Sequence, residues 1–179
     1  MIKNLNKFVL SALFTALISI CSQIVIPLSV IPVNLALFAV YISGAVLGEY
    51  YGALSVITYI LIGMAGLPVF AGFKGGIGII LGPTGGYIIG YIFTVFVSGL
   101  IIHADRDKII LYPLGMGAGL IICYLFGTLW YSIAYGVSFI SAVAVCVVPF
   151  LIGDILKIIL ASFLSFKLNG ILKKKTSSD

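Results

Sequence analysis

The chain has 179 residues, of which 62% are hydrophobic and 8% charged, and its formal net charge is +5. Soluble domains carry about 25% charged residues, so this composition excludes a soluble globular protein and indicates an integral membrane protein. The three cysteines lie in separate apolar segments without CxxC spacing, which favours buried thiols over a disulfide or a metal site. The sequence has no P-loop, so the chain itself is not expected to hydrolyse ATP.

The apolar runs are long and do not alternate with polar residues, so they predict membrane-spanning helices rather than barrel strands. We predict a single all-α membrane domain over residues 1–179. It forms a six-transmembrane-helix bundle with a glycine-rich extracellular loop between helices 3 and 4. The six helices are predicted at about residues 5–26, 33–47, 51–66, 83–102, 109–131 and 149–168. Pro83 is suited to the first position of the fourth helix.

Residues 132–148 are apolar enough to form a seventh span, but the charge distribution argues against one. With six spans, the basic residues near both termini and in the polar loop 103–108 all lie on the cytoplasmic side, as the positive-inside rule requires. We therefore predict a loop with a short re-entrant or surface helix at 132–148, and cytoplasmic N- and C-termini in the cell membrane. The loops 27–32 and 67–82 then lie outside. The lysine tail, residues 173–175, is expected to anchor the topology among membrane lipids rather than to bind nucleic acid.

A glycine-rich stretch, GFKGGIGIILGPTGG, covers residues 72–86 and contains seven glycines. A loop of this length is usually functional or disordered, and its apolar residues favour a loop that folds back onto the protein. The start of the following helix offers backbone N–H groups that suit a carboxylate or phosphate, and glycine allows a ligand to approach closely. Helix packing through small residues is the alternative. The candidate ligand contacts here are Lys74, Gly75, Gly82, Thr84, Gly85, Gly86 and Tyr87.

Asp154 and Lys157 in PFLIGDILK form the strongest candidate pair, because residues three apart share one face of a helix. Ionisable residues within a membrane are costly and indicate a functional site by default, although a self-neutralising structural pair is the alternative. Tyr124 either lines the same pocket or belongs to an interfacial aromatic belt. Asn34 is a further polar candidate, or else a helix cap.

His103 lies in a polar loop with Asp105 and Asp107. This group could bind a metal, but a solvated turn is the favoured interpretation, so we expect no metal and no cofactor. The sequence contains no Ser-His-Asp set, no HExxH motif and no chain of intramembrane acids. It therefore does not predict an enzyme or a pump.

Three motifs resemble those of the BioY family in their order and spacing. They are GLPVFAGFKGGIGIILGPTGGY, CYLFGTLW and PFLIGDILK. The members of this family are the biotin-specific substrate-binding (S) components of energy-coupling factor (ECF) transporters. The resemblance implies a six-helix bundle that binds biotin near its outer face. It also implies three partners, namely a transmembrane coupling protein (T component) and two cytoplasmic ATPases. Ala12 and Ala16 match the Ala-x-x-x-Ala motif by which such components dock on the coupling protein, and small residues four apart let another helix approach.

If the ligand is biotin, Asp154 is expected to accept hydrogen bonds from the ureido N–H groups and Lys157 to donate to the ureido carbonyl. Backbone N–H groups of the glycine-rich stretch, or Lys74, would hold the carboxylate. The glycines would then form an outer lid. The alternatives are an S component for another vitamin such as thiamine or riboflavin, a self-sufficient channel or proton-coupled carrier, and a membrane enzyme.

Overall fold

The computed structural model describes residues 2–26 and 33–176, and these are almost entirely helical, as predicted. The elements in chain order are α1 (Ile2–Ser22), β1 (Val25–Ile26), β2 (Val33–Asn34), α2 (Ala36–Leu47), α3 (Glu49–Met64), α4 (Ile77–Ile80), α5 (Gly85–Ala104), α6 (Leu111–Tyr135), α7 (Phe139–Cys146) and α8 (Leu151–Thr176). The two strands pair antiparallel, with Val25 opposite Asn34. The predicted outer loop 27–32 and the side chains of Lys174 and Lys175 lie outside the described residues.

The described residues form eight helices rather than the predicted six. One addition, α4, is a single turn inside the segment 67–82, called here the glycine-rich segment. Its Ile80 side chain is buried in the core, so tertiary packing stabilises a turn that the surrounding glycines disfavour locally. The other helix beyond the six spans, α7, lies within 132–148, where a short re-entrant or surface helix was predicted. The predicted fourth helix begins at Gly85, and Pro83 lies in the turn before it.

Two of the described helices, α5 and α6, are long and apolar enough to cross a membrane by length and composition. A third crossing results if α7 and α8, which meet at 58° across a short break, form one bent span. Three further apolar helices are shorter: α2, α3 and residues 6–22 of α1. The chain is a multi-pass membrane protein.

The helices α5 and α6 pack closely because glycines remove side-chain volume at their contact. A Cβ atom on Gly86 would lie 2.3 Å from Cβ of Trp130, and one on Gly127 would lie 2.3 Å from the Tyr87 ring. Atoms do not approach this closely without displacement, so glycine is required at both positions. The close contact fixes the start of α5 against α6, where the candidate site lies.

Hydroxyl groups join α1 to α3. Ser11 Oγ lies 3.1 Å from the carbonyl oxygen of Tyr51, and Thr15 Oγ1 lies 2.9 Å from that of Ser55. Such short polar side chains are common at helix contacts within membranes. This side of α1 faces the bundle, whereas other positions of the same helix are exposed.

Candidate functional site

A cavity of about 200 Å³ lies where the glycine-rich segment meets the first turns of α5 and α8 and the middle of α6. Eight of the eleven predicted contact residues line it, from five separate parts of the chain. These are Asn34, Lys74, Gly82, Thr84, Tyr87, Tyr124, Asp154 and Lys157. The fold therefore brings most of the polar candidates together at one place.

The charged wall of the cavity is built from α8 and α6. Lys157 Nζ donates to Asp154 Oδ1 over 2.8 Å, and the Tyr124 hydroxyl donates to Asp154 Oδ2 over 2.6 Å. Asp154 is 4% exposed and Lys157 is 8% exposed. The i,i+3 spacing on α8 explains the pairing of the two charges. Tyr124 holds the other carboxylate oxygen from the neighbouring helix.

This cluster retains capacity for a ligand. Each carboxylate oxygen has two lone pairs and a lysine ammonium has three hydrogens, so Asp154 can accept further hydrogen bonds and Lys157 can donate two more. The pair has no net charge, which reduces the cost of its burial. The wall can therefore bind a neutral polar group that carries both N–H donors and a carbonyl acceptor.

The outer wall of the cavity comes from the glycine-rich segment. Phe70 and Lys74 pair through two backbone hydrogen bonds, from Phe70 N to Lys74 O at 2.9 Å and from Lys74 N to Phe70 O at 3.2 Å. The carbonyl oxygen of Gly82 accepts a hydrogen bond from Trp130 Nε1 at 3.0 Å. The segment is thus fixed to α6 and folds over the cavity.

Three predicted contact residues, Gly75, Gly85 and Gly86, pack against the protein instead of lining the cavity. A Cβ atom on Gly75 would lie 2.4 Å from the Leu67 carbonyl oxygen, and one on Gly85 would lie 1.7 Å from that of Ile80. Gly86 leaves room for the Trp130 side chain of α6. Gly86 thus fits the alternative interpretation, helix packing through small residues, whereas Gly75 and Gly85 pack against the backbone of the glycine-rich segment.

Several backbone N–H groups at the start of α5, where the carboxylate was predicted to bind, have acceptors within the chain. Gly85 N–H donates to the Gly82 carbonyl oxygen, and the N–H groups of Tyr87 and Ile88 both donate to the Thr84 carbonyl oxygen. These donors are therefore used within the chain. Lys74, which lines the cavity, is the better-placed partner for an anionic group.

Asn34 and Tyr87 each have a structural role besides lining the cavity. Asn34 Oδ1 accepts a hydrogen bond from the Ala36 N–H at 3.0 Å at the start of α2, so the capping interpretation is also satisfied. The Tyr87 hydroxyl donates to the Cys146 carbonyl oxygen at 2.7 Å and connects α5 to the end of α7. Both residues fix a part of the cavity wall.

Most of the apolar lining of the cavity was not predicted from the sequence. The additional residues include Leu37, Tyr59, Phe70, Tyr91, Cys123, Cys146 and Phe150. The rings of Tyr59 and Phe70 meet edge to face with centroids 5.4 Å apart. Tyr91 follows Tyr87 by four residues and so shares its helix face, a signal that could have identified it.

The group around His103 forms a polar network at the end of α5. His103 Nε2 lies 3.1 Å from the Ala45 carbonyl oxygen, and its Nδ1 lies 2.7 Å from an Arg106 nitrogen. Asp105 pairs with Lys108 at 3.1 Å. His103 and Asp105 thus have separate partners.

Ala12 and Ala16 lie on the exposed side of α1, four residues apart on one face of the helix. Ser11 and Thr15 lie on its bundle-facing side. The small side chains are therefore accessible to a neighbouring helix.

The fold and the site define a membrane-embedded protein with a cavity lined by aromatic side chains and a buried ion pair. The chain matches the BioY family over residues 1–174 and belongs to that family. It is 40% identical to a biotin transporter BioY of Thermotoga maritima over 92% of this chain and 96% of that protein. It is 42% identical to a probable biotin transporter BioY of Pyrococcus horikoshii over 90% of this chain and 94% of that protein.

A solved structure shares the fold. The crystal structure of the S-component for biotin from an ECF-type ABC transporter superimposes with a TM-score of 0.84 at 27% identity. The match covers 94% of this chain and 93% of that one. The family expected from the three sequence motifs is confirmed.

Proposed function

We propose that this chain is the biotin-binding S component of an ATP-driven ECF transporter. The observation that supports this function best is the buried cluster of Asp154, Lys157 and Tyr124 on the wall of an enclosed cavity, in a member of the BioY family. The relatives are named as transporters rather than enzymes, in agreement with the prediction that the chain is not an enzyme.

Biotin presents groups that complement this cluster. Its ureido ring has two N–H donors and one carbonyl acceptor, which match the free lone pairs of Asp154 and the free ammonium hydrogens of Lys157. Its apolar thioether ring suits the aromatic wall that Tyr59, Phe70 and Tyr91 form. The buried cluster would therefore recognise the ureido end.

The carboxylate end of biotin would then point toward the glycine-rich segment. Lys74 lines that side of the cavity and supplies a positive charge. An opposite charge near the carboxylate favours its binding, although the contribution is modest for an exposed lysine. The remaining predicted contacts, Asn34, Gly82, Thr84 and Tyr87, would border the ligand between its two ends.

The proposal includes a topology with six spans and cytoplasmic N- and C-termini, made from α1, α2, α3, α5, α6 and the bent pair α7–α8. The chain contributes no ATPase in this arrangement. A T component and two cytoplasmic ATPases would be its partners, and the exposed alanines of α1 would provide the docking face.

Titration calorimetry of the purified protein in detergent tests the function. We expect tight binding of biotin at a single site, weaker binding of biotin methyl ester, and no binding of thiamine or riboflavin. The ester loses the anionic end but keeps the ureido ring, so it isolates the contribution of the carboxylate. Binding of thiamine without binding of biotin would refute the proposal.

A further inference from the structure

Gln23 follows directly after α1, and its side-chain amide lies between the end of that helix and the glycine-rich segment. Its Nε2 is 3.0 Å from the Val69 carbonyl oxygen, and its Oε1 accepts a hydrogen bond from the Phe73 N–H at 2.8 Å. A glutamine side chain carries both donors and an acceptor. This single side chain therefore contacts the segment at two residues that are four apart in sequence.

The second of these points has an unusual backbone conformation. Phe73 is the non-glycine residue with a positive φ among the described residues, at 57°, and this region costs a residue with a Cβ atom roughly 1 kcal/mol or more. Its ring is 72% exposed, so burial of the ring contributes little to hold this conformation. The hydrogen bond from the Phe73 N–H to Gln23 Oε1 stabilises this backbone conformation directly.

The conformation at Phe73 determines where the neighbouring cavity residues lie. Lys74 is the next residue, and its backbone pairs with Phe70 to close the turn. Phe70 and Lys74 both line the cavity, and Phe70 is 1% exposed. A change at Phe73 would therefore move part of the outer wall.

We propose that Gln23 is a positioning residue that holds residues 69–74 as the outer wall of the ligand cavity and thereby slows ligand release. This inference rests on the proposed function for the identity of the ligand, biotin. Gln23 does not line the cavity itself, so its effect on the ligand would come from fixing the Phe70–Lys74 turn. The Val69 carbonyl oxygen also accepts a hydrogen bond from Ser22 Oγ, so the bond from Phe73 is the distinctive contribution of Gln23.

Gln23→Met tests the role, because methionine keeps the length of the side chain and removes its amide. We expect biotin to dissociate about fivefold faster, the effect of one lost hydrogen bond. We also expect faster amide hydrogen exchange in a peptide that covers residues 70–76, measured without biotin. Ser19→Ala is the matched control, since the Ser19 hydroxyl donates to the Thr15 carbonyl oxygen within α1. It should leave both measurements unchanged.

Gln23→Glu separates the two points of contact. A carboxylate still accepts the Phe73 N–H but cannot donate to the Val69 carbonyl oxygen, so exchange at 70–76 should be slower than in Gln23→Met and biotin release slower as well. The inference is overturned if Gln23→Met exchanges and releases biotin at the rates of the unmodified protein, or if Gln23→Glu gives no rescue of either. Exchange is measured without ligand, so failure of the unmodified protein to bind biotin would overturn only the proposed function.

Discussion

The cavity wall around Asp154 and the exposed face of α1 differ in polarity. The wall carries paired charges, whereas the face carries small apolar side chains. At the wall, both carboxylate oxygens are engaged by Lys157 and Tyr124, because an unpaired buried charge is very costly. On α1, Ala12 and Ala16 expose small apolar side chains. Lipid gives apolar surfaces no hydrophobic drive to associate, so small residues promote helix contact only by permitting close approach. Under the proposed function, ligand recognition would depend on polar atoms, and docking would depend on small side chains.

The two regions also lie on different elements. The described residues that line the cavity come from β2, from helices α2 to α8 and from the connecting segments, and none of them belongs to α1. The link from α1 to the cavity that we infer runs through Gln23, more than one helical turn beyond Ala16. Substitutions in the two regions should therefore have separable effects, which three experiments can test.

The largest effect is expected on α1. Ala12→Trp or Ala16→Trp adds a bulky side chain on the face where a partner helix would approach, so the coupling protein should no longer co-purify and ATP-driven biotin uptake should be lost. Biotin affinity of the isolated chain should stay within about twofold, because the cavity does not include α1. Affinity purification with the coupling subunits, combined with calorimetry on the isolated variant, measures both.

Leu10→Trp is the control for this experiment, since position 10 is exposed on α1, already holds a large side chain and lies on a different side of the helix from Ala12 and Ala16. It should co-purify with the partners as the unmodified chain does. If both alanine variants also co-purify and support uptake, the partner docks on another part of the protein.

The ion pair and the alanine face show what local spacing can predict. Asp154 and Lys157 form a direct hydrogen bond at 2.8 Å, as expected for residues three apart on a helix. Ala12 and Ala16 share an exposed face for the same reason. Helical periodicity is a local property, so it can be deduced without knowledge of the partners.

Most of the aromatic lining, and the hydrogen bonds from Gln23 to residues 69–74, could not be predicted in this way. Tyr59 lies on a helix that is largely apolar on all sides, so polarity gives no contrast between an inward and an outward face. Gln23 meets Phe73 across 50 residues of sequence, and no local pattern indicates such a contact. The short helix α4 likewise depends on tertiary packing of Ile80 rather than on local propensity.

The second prediction concerns the polar wall. Asp154→Ala removes an acceptor for the ureido group, and loss of a hydrogen bond to a charged group costs roughly 1.5–3 kcal/mol. Biotin affinity should therefore fall about tenfold to over a hundredfold. Co-purification with the coupling protein should persist, and calorimetry and affinity purification measure the two results.

Removal of Asp154 alone also leaves Lys157 buried without its partner, which is expected to cost roughly 3–5 kcal/mol of stability. The double variant Asp154→Ala/Lys157→Met removes this unpaired charge, so its thermal unfolding temperature should recover while biotin binding remains lost. Biotin binding at the original affinity in the double variant would make the pair a purely structural feature.

The smallest effect is expected at Lys74, whose side chain is exposed at the rim of the cavity. An exposed ion pair contributes roughly 0.2–1 kcal/mol, so Lys74→Met should weaken biotin binding by at most about fivefold. Binding of biotin methyl ester should not change, because the ester has no charge for the lysine to pair with. Lys108→Met removes the same charge from the α5–α6 turn, where Lys108 pairs with Asp105, and it controls for long-range electrostatics. Equal weakening of acid and ester by Lys74→Met would show that Lys74 shapes the glycine-rich segment rather than pairing with the carboxylate.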